Sequence, residues 1–275
     1  MRRKVNMRSW LALPSGFLVL AATLIVAQPA FARITRTRQT PSETWNPLLP
    51  LVIGSGLEIQ TDKDETSYEF PMLFEYNFTE EFKISIEPNY VLKVPRDPQD
   101  STIEGWGDLE TSAEWEFLKE RRWRPALTAE LIIKWPTHAS LDTGDPGRDY
   151  SFGLVASKDF VYFDMDISAI YTFVGARDAK NSVEIDVDAE YHLTHYMDLI
   201  AEIATTFGGN VRGRPGLGGV GGGQRDAGKS SDIEGTVGLS WKINKHLKLE
   251  EGIVYNTDGS WKFVVAWEYS ISGED

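Results

Sequence analysis

The feature that most constrains the fold is a two-residue alternation of apolar and polar side chains in the segment 183–192, VEIDVDAEYH. Successive side chains of a β-strand point to opposite faces, so this pattern predicts a strand with one apolar face. The opposite face carries Glu184, Asp186, Asp188, Glu190 and His192. Four carboxylates in a row repel one another, so this face must meet an environment that screens charge.

The same period recurs along most of the chain, whereas no apolar run after Ala32 is long enough for a membrane helix. Each alternating segment has the length of a tilted membrane strand. We predict about twelve strands, at 51–60, 66–78, 81–94, 104–118, 123–136, 148–159, 161–174, 182–193, 197–208, 231–243, 246–256 and 259–271.

The predicted connections alternate in length. Those after even-numbered strands are tight, at 79–80, 119–122, 160, 194–196 and 244–245. Those after odd-numbered strands are mostly longer, at 61–65, 95–103, 137–147, 175–181 and 209–230, with a short last hairpin near 257–258 as the exception. Short turns on one rim and long loops on the other are typical of outer-membrane barrels. The predicted fold is therefore all-β, a closed antiparallel transmembrane barrel whose termini share the short-turn, periplasmic rim.

A closed barrel in a bilayer needs an apolar outer face, so the charged faces of the strands point into the lumen. The candidate pore-lining residues are Glu110, Glu114, Glu116, Glu130, Lys134, Asp164, Asp166, Glu184, Asp186, Asp188, Glu190 and Glu202. Lysines occur on the same faces, so many acids can pair across strands. Either these charges form a cation-preferring interior, or they only fill and rigidify the lumen. Glu251 falls on an apolar face and predicts a bulge. Trp and Tyr at outward strand ends predict interfacial girdles.

The N-terminus predicts export. A basic start, an apolar run over 11–27 and the A-x-A pattern at 30–32 indicate a signal peptide at 1–32; an uncleaved anchor is the alternative. Its removal takes the formal net charge from −13 to −17, with 24 basic against 41 acidic residues. This acidity argues against nucleic-acid binding. The predicted domains are the signal peptide, a periplasmic segment at 33–50, the barrel at 51–271 and a tail at 272–275.

Two glycine-rich segments in the loop after the ninth predicted strand match the patterns of nucleotide-binding motifs. The stretch 216–221 fits G-x-G-x-x-G, and 223–230 fits G-x-x-x-x-G-K-[ST]. Both motifs need a helix after them, but the segment after Ser230 alternates like a strand. We predict a flexible external loop, or a plug, and no cofactor. Its basic residues could touch lipopolysaccharide phosphates; they are Arg212, Arg214, Arg225 and Lys229.

The sequence gives little support for a catalytic site or a metal site. The chain has no cysteine, and the predicted positions of its four histidines pair none of them with a serine. His195 and His246 fall in periplasmic turns, His138 in an outer loop, and His192 at a periplasmic strand end. The turn at 142–145 could bind a cation, but a turn-forming role is the simpler reading. We predict that the protein is not an enzyme.

Residues 105–175 carry a series of short motifs in a fixed order. They are GWGDL at 105–109, WEFL at 115–118, RPAL at 124–127, IKWPT at 133–137, TGD at 143–145, DYSFGL at 149–154, ASKDF at 156–160 and YTF at 171–173. In these motifs the chain resembles the MetA-pathway phenol-degradation family of the Gram-negative outer membrane. It departs from the family where 138–142 separate the lysine–proline–threonine run from Gly144-Asp145, and in its non-aromatic terminal tail.

The resemblance implies an outer-membrane barrel that helps to import aromatic compounds. With the acidic inner face, it leads us to predict passive passage of an unidentified small solute, with cations or neutral molecules favoured over anions. A non-conducting structural barrel is the alternative, and an outer-membrane enzyme is a distant third. The predicted partners are outer-membrane lipids, lipopolysaccharide and the barrel-assembly machinery.

Overall fold

The computed structural model describes residues 51–61, 65–97, 99, 101–137, 147–175, 180–208, 215–216, 219–220, 231–257 and 259–271. Its strands are β1 Leu51–Thr61, β2 Glu65–Asn77, β3 Phe82–Glu87, β4 Asn89–Pro95, β5 Ile103–Trp106, β6 Leu109–Leu118, β7 Ala126–Trp135, β8 Asp149–Asp159, β9 Phe163–Phe173, β10 Ser182–Thr194, β11 Met197–Gly208, β12 Pro215–Gly216, β13 Gly219–Val220, β14 Ser231–Lys242, β15 Leu247–Asn256 and β16 Trp261–Ile271. Among these residues, no helix is long and apolar enough to cross a membrane.

The strands form one closed antiparallel sheet. Each barrel strand pairs with its neighbours along the chain, and the last strand, β16, pairs with β1 from Leu51↔Ile271 to Thr61↔Trp261. The first strand also pairs with β2, so no edge remains at the point of closure. Segments β3 and β4 make one barrel strand, as do β5 and β6, and the β12–β13 hairpin pairs only with itself. The described part of the chain thus forms a barrel of twelve strands, and this prediction is confirmed.

Two predicted strands are interrupted on adjacent sides of the wall. The strand predicted at 81–94 breaks at Pro88, which has no N–H to donate, although Met72 N still donates to Pro88 O at 2.8 Å. The strand predicted at 104–118 breaks at 107–108. Its register to the neighbouring strand shifts there from Tyr90↔Trp106 to Glu87↔Glu110, so one extra residue bulges out of the ladder.

Most connections have the predicted asymmetry, but 62–64 is shorter than predicted and 119–125 is longer. One rim carries the turns 78–81, 119–125, 160–162, 195–196 and 243–246, and the other carries 62–64, 96–102, 136–148, 174–181, 209–230 and 257–260. The short turns close through local hydrogen bonds: Asn244 Oδ1 accepts from the backbone N–H of His246 at 2.8 Å and of Leu247 at 3.0 Å. In the last hairpin Gly259 has φ 87°, a conformation that other residues adopt at a cost.

The barrel is apolar outside and polar inside. Large exposed side chains on the outer face include Trp115, Phe152, Ile203 and Trp261. The buried set among the described residues is mostly polar or charged, because the inner face is enclosed by the sheet. This inside-out arrangement is the one a bilayer demands.

The bulge predicted at Glu251 is wrong. Strand β15 keeps an unbroken register with both neighbours, and Glu251 lies opposite Leu239 and Val265. Its side chain is therefore on the apolar outer face, half-exposed. The sequence pattern suggested a bulge because a shift of one residue would move this carboxylate inward.

Several sequence predictions fall outside the described residues. They concern the signal peptide at 1–32, the segment 33–50, the tail 272–275, His138, the turn 142–145, the four basic loop residues and most of the two glycine-rich motifs. After Ser230 the chain enters strand β14 and not a helix, which removes the setting that both nucleotide motifs require.

Candidate functional site in the barrel lumen

All twelve candidate residues occupy inward positions of the strands. Seven are buried: Glu114, Glu116, Glu130, Glu184, Asp186, Asp188 and Glu202. The remaining five are half-buried: Glu110, Lys134, Asp164, Asp166 and Glu190. The structure thus places the set on one continuous inner surface, and their role in lining a pore stays a prediction.

One side of the lumen is built from buried ion pairs. Lys83 Nζ on β3 lies 3.1 Å from Glu75 Oε2 on β2 and 3.3 Å from Glu114 Oε2 on β6, and the Lys83 and Glu75 side chains are fully buried. Lys262 on β16 reaches Glu58 on β1 at 3.0 Å. Charges removed from water need such short contacts to offset their lost hydration.

A second ion-paired cluster lies next to the bulge at 107–108 and joins it to β7 and β8. Lys134 Nζ lies 3.4 Å from Asp108 Oδ2 and 3.3 Å from Asp149 Oδ2. Asp108 has the same parity as the inward residue Glu110 on β6, and its carboxylate reaches Lys134. Across the same bulge, Thr137 Oγ1 donates to the carbonyl of Gly107 at 2.8 Å.

Near the short-turn rim, a mixed network joins five strands, β9, β10, β11, β14 and β15. Asp198 Oδ2 on β11 lies 2.8 Å from Lys242 Nζ, and its Oδ1 lies 3.0 Å from His192 Nδ1. His192 Nε2 is 3.5 Å from Asp164 Oδ2. Lys248 joins Glu250 at 2.8 Å and Glu190 at 3.9 Å. The ring nitrogens of His192 therefore face carboxylates, and no serine hydroxyl contacts them among the described residues.

The carboxylate row of β10 has different surroundings. Thr206 Oγ1 donates to Glu184 Oε2 at 3.0 Å, and Ser168 Oγ donates to Asp186 Oδ2 at 2.9 Å. Asp188 lies directly opposite Asp166 on β9 and Glu202 on β11. Like charges directly opposite in a ladder destabilise it. This side of the lumen is thus the more negative one.

Some members of these networks were missed in the sequence. Glu58, Asp149 and Asp198 each hold a lysine, yet none was among the candidates. The signal was present for Asp198, because it has the same strand parity as Glu202. Asp149 also lies inside the strand predicted at 148–159, so the same reasoning could have included it.

The arrangement offers charge and hydrogen-bond acceptors. Within the described ranges, no three His, Cys, Asp or Glu side chains are grouped so that they could hold a metal ion. The carboxylates and hydroxyls of the inner face can attract cations and accept hydrogen bonds.

Comparisons with known proteins address the fold. No family model matches the chain, and no curated protein matches it. Solved structures do. The COG4313 outer membrane channel from Pseudomonas putida F1 superposes with a TM-score of 0.62 at 11% identity, over 85% of this chain and 100% of that chain.

Two porins have a similar fold. The KdgM porin, solved in complex with disordered oligogalacturonate, gives a TM-score of 0.56 at 13% identity, over 80% of this chain and 99% of that chain. The NanC porin gives 0.54 at 9% identity, over 80% of this chain and 100% of that chain. These matches agree with the closed antiparallel barrel described above.

Proposed function

We propose that the protein is an outer-membrane channel for the passive passage of small solutes. The observation that carries the proposal is the closed barrel with an apolar outer face and a charged inner face. A structure of this kind is stable in a bilayer and encloses a polar path across it. The proteins of similar fold are named as porins and a channel, which supports the same class of function.

The proposed solutes are small aromatic compounds or other organic molecules. Support comes from the resemblance of residues 105–175 to the MetA-pathway phenol-degradation family. Two of the motifs that carry this resemblance meet in the fold, because Thr137 of IKWPT hydrogen-bonds the backbone carbonyls of Trp106 and Gly107 of GWGDL. This contact gives the shared motifs a structural role at the bulge, and it does not identify a solute.

The proposed location is the bacterial outer membrane. Residues 1–32 would direct export and be removed, 33–50 would lie in the periplasm, 51–271 would form the barrel and 272–275 a tail. The barrel-assembly machinery would insert the chain, and phospholipid and lipopolysaccharide would surround the apolar band. We propose no catalytic chemistry and no cofactor.

The acidic inner face supports a preference for cations and neutral molecules over anions. A ring or row of carboxylates lowers the energy of a cation in a narrow path and raises that of an anion. Strand β10 contributes four of these carboxylates, those of Glu184, Asp186, Asp188 and Glu190.

The test is conductance of the mature chain, 33–275, refolded and inserted in a planar bilayer. We expect steady current, and under a KCl gradient a reversal potential of the sign that indicates cation selectivity. Neutralising the β10 row with Gln and Asn should remove that selectivity. A gel shift on heating must show that each protein is folded. Anion selectivity, or selectivity unchanged in the neutral variant, would reject the proposed role of the row.

One observation favours a second candidate, a non-conducting structural barrel. Several lumen charges are packed against other protein atoms, and Lys83, Glu75 and Asp186 are completely buried. Side chains that fill a lumen rigidify a barrel and close it. A folded protein that never conducts, and that loses stability when lumen charges are removed, would establish this alternative.

A further inference from the structure

Four inward residues lie side by side across four neighbouring strands. Ser157 on β8 is opposite Asp166 on β9, Asp166 is opposite Asp188 on β10, and Asp188 is opposite Glu202 on β11. Directly opposed residues place their Cβ atoms about 5 Å apart. We name these four residues the Asp188 row.

Asp188 has an unusual electrostatic setting. Among the described residues, the charged groups that act most strongly on it are the carboxylates of Glu202, Asp166, Glu190 and Glu250, with no lysine among these four. Its side chain is buried, and within the described residues its Oδ2 has no hydrogen-bond partner. By contrast, Glu190, two residues along the same face, has Lys248 within 3.9 Å.

Ser157 gives an independent observation at the same place. It is 3% exposed, it faces the lumen, and its Oγ has no hydrogen-bond partner in the part of the chain that the structure describes. A buried hydroxyl without a partner is costly, and in native proteins it usually meets a water or a ligand. Ser157 lies directly opposite Asp166 in the β8–β9 ladder, at the end of the row, and both side chains point into the lumen.

We infer that the Asp188 row binds the ammonium group of a small organic amine. An ammonium carries one positive charge and three N–H donors, which suits three carboxylates on adjacent strands. The N–H···O distance of about 2.8 Å lets one nitrogen bridge neighbouring strands. A divalent metal ion would need several oxygens, each about 2.0–2.6 Å from the ion, and the described side chains form no such cluster. The Ser157 hydroxyl extends the set of acceptors.

Because it names a class of solute, this inference rests on the proposed function. Binding of the amine itself does not require the barrel to conduct. The test is therefore a thermal titration of the mature protein in detergent, read by its heat-dependent gel mobility. The added salt is n-butylammonium chloride, compared with tetramethylammonium chloride and NaCl at equal ionic strength. Tetramethylammonium has the same charge but no N–H donor, so it separates hydrogen-bonded recognition from charge screening.

We expect the unfolding midpoint to rise with n-butylammonium only, because a ligand of the folded state stabilises it according to its concentration and Kd. Asp188→Asn should weaken the apparent affinity at least tenfold, and Ser157→Ala about tenfold, the loss expected for one hydrogen bond to a charged group. Two matched variants should keep the affinity of the wild type. Glu130→Gln removes one lumen carboxylate outside the row, and Thr128→Val removes another buried hydroxyl that has no hydrogen-bond partner among the described residues.

Three results would overturn the inference: equal stabilisation by tetramethylammonium, an unchanged affinity in Asp188→Asn, or an equal loss in Asp188→Asn and Glu130→Gln. The last result would mean that the lumen attracts cations diffusely. Conductance separates this inference from the channel proposal. If the protein is stabilised by n-butylammonium but does not conduct, the amine site is supported and the channel proposal is rejected. If it conducts but is not stabilised by n-butylammonium, the channel proposal is supported and the amine site is rejected.

Discussion

The two sides of the lumen use the same residue types in opposite ways. Around Lys83, each buried carboxylate meets an ammonium within 3.3 Å. Around Asp188, carboxylates face carboxylates across two ladders. Both groups are enclosed by the same sheet, so burial alone does not set their energetics. The difference shows that the register between strands matters, because it decides which residue lies opposite a buried charge. A carboxylate opposite a lysine has a structural role, whereas one opposite other carboxylates is a candidate for binding.

The largest effect should come from removing the cation of the paired side. Lys83→Met leaves Glu75 and Glu114 buried without their lysine, and loss of one partner of a buried pair costs about 3–5 kcal/mol. Urea unfolding in detergent, followed by tryptophan fluorescence, would measure it. Lys119→Met is the matched control, because Lys119 also holds two carboxylates, Glu80 and Glu81, but in an exposed turn. A similar loss in both variants would contradict the comparison.

A smaller loss is expected on the carboxylate side when a hydroxyl donor is removed. Ser168→Ala takes away the hydrogen bond to the buried Asp186, and such bonds to charged groups contribute about 2 kcal/mol. Ser157→Ala is its control, because the Ser157 hydroxyl has no partner among the described residues. In amine-free buffer the same unfolding experiment should show a loss for Ser168→Ala and almost none for Ser157→Ala. The reverse order would refute this assignment of donors.

The next effect should have the opposite sign. Asp188→Asn removes a carboxylate that faces Asp166 and Glu202, so in NaCl we expect stability to rise by about 1 kcal/mol or less. Differential scanning calorimetry in detergent would resolve the rise as a higher unfolding midpoint. A fall would show that Asp188 contributes attraction in the folded barrel, and would weaken the contrast between the two sides.

The smallest effect concerns the exposed turn, where the pairing of Lys119 lowers the pKa of Glu81 below its ordinary value, mainly through their hydrogen bond. A lowered folded-state pKa means that this contribution is present above the unfolded value of about 4.5 and is lost as pH falls through the folded pKa. It should also shrink in high salt, because the pair is solvated. A carbon-13 NMR titration of labelled glutamate should show the Glu81 pKa rising toward normal in Lys119→Met. An unchanged Glu81 pKa in this variant would show that Lys119 is not the cause of the lowered value.

Sequence reasoning recovered most of the fold because the barrel repeats one local rule. In β10, the alternation from Val183 to His192 predicted both the strand and its inward carboxylates, and the structure agrees. The rule failed where the backbone departs from a regular ladder. Pro88 and the extra residue at 107–108 split two predicted strands, and neither disturbs the pattern of apolar residues strongly enough to be read. At Glu251 the opposite error occurred, because a bulge was predicted where the strand is regular. A regular strand tolerates one carboxylate on its outer face.

The sequence by itself determined which face most side chains of the strands occupy, how many strands the barrel has, and that short turns alternate with longer loops. These properties follow from the two-residue period and the spacing of turns, which are local. Only the tertiary structure decided that Lys262 meets Glu58 on the strand where the barrel closes, that Lys83 meets Glu114, and that Asp188 meets two further acids. Parity assigns a face, but partners depend on the register between strands, and ring closure sets that register for residues at opposite ends of the chain.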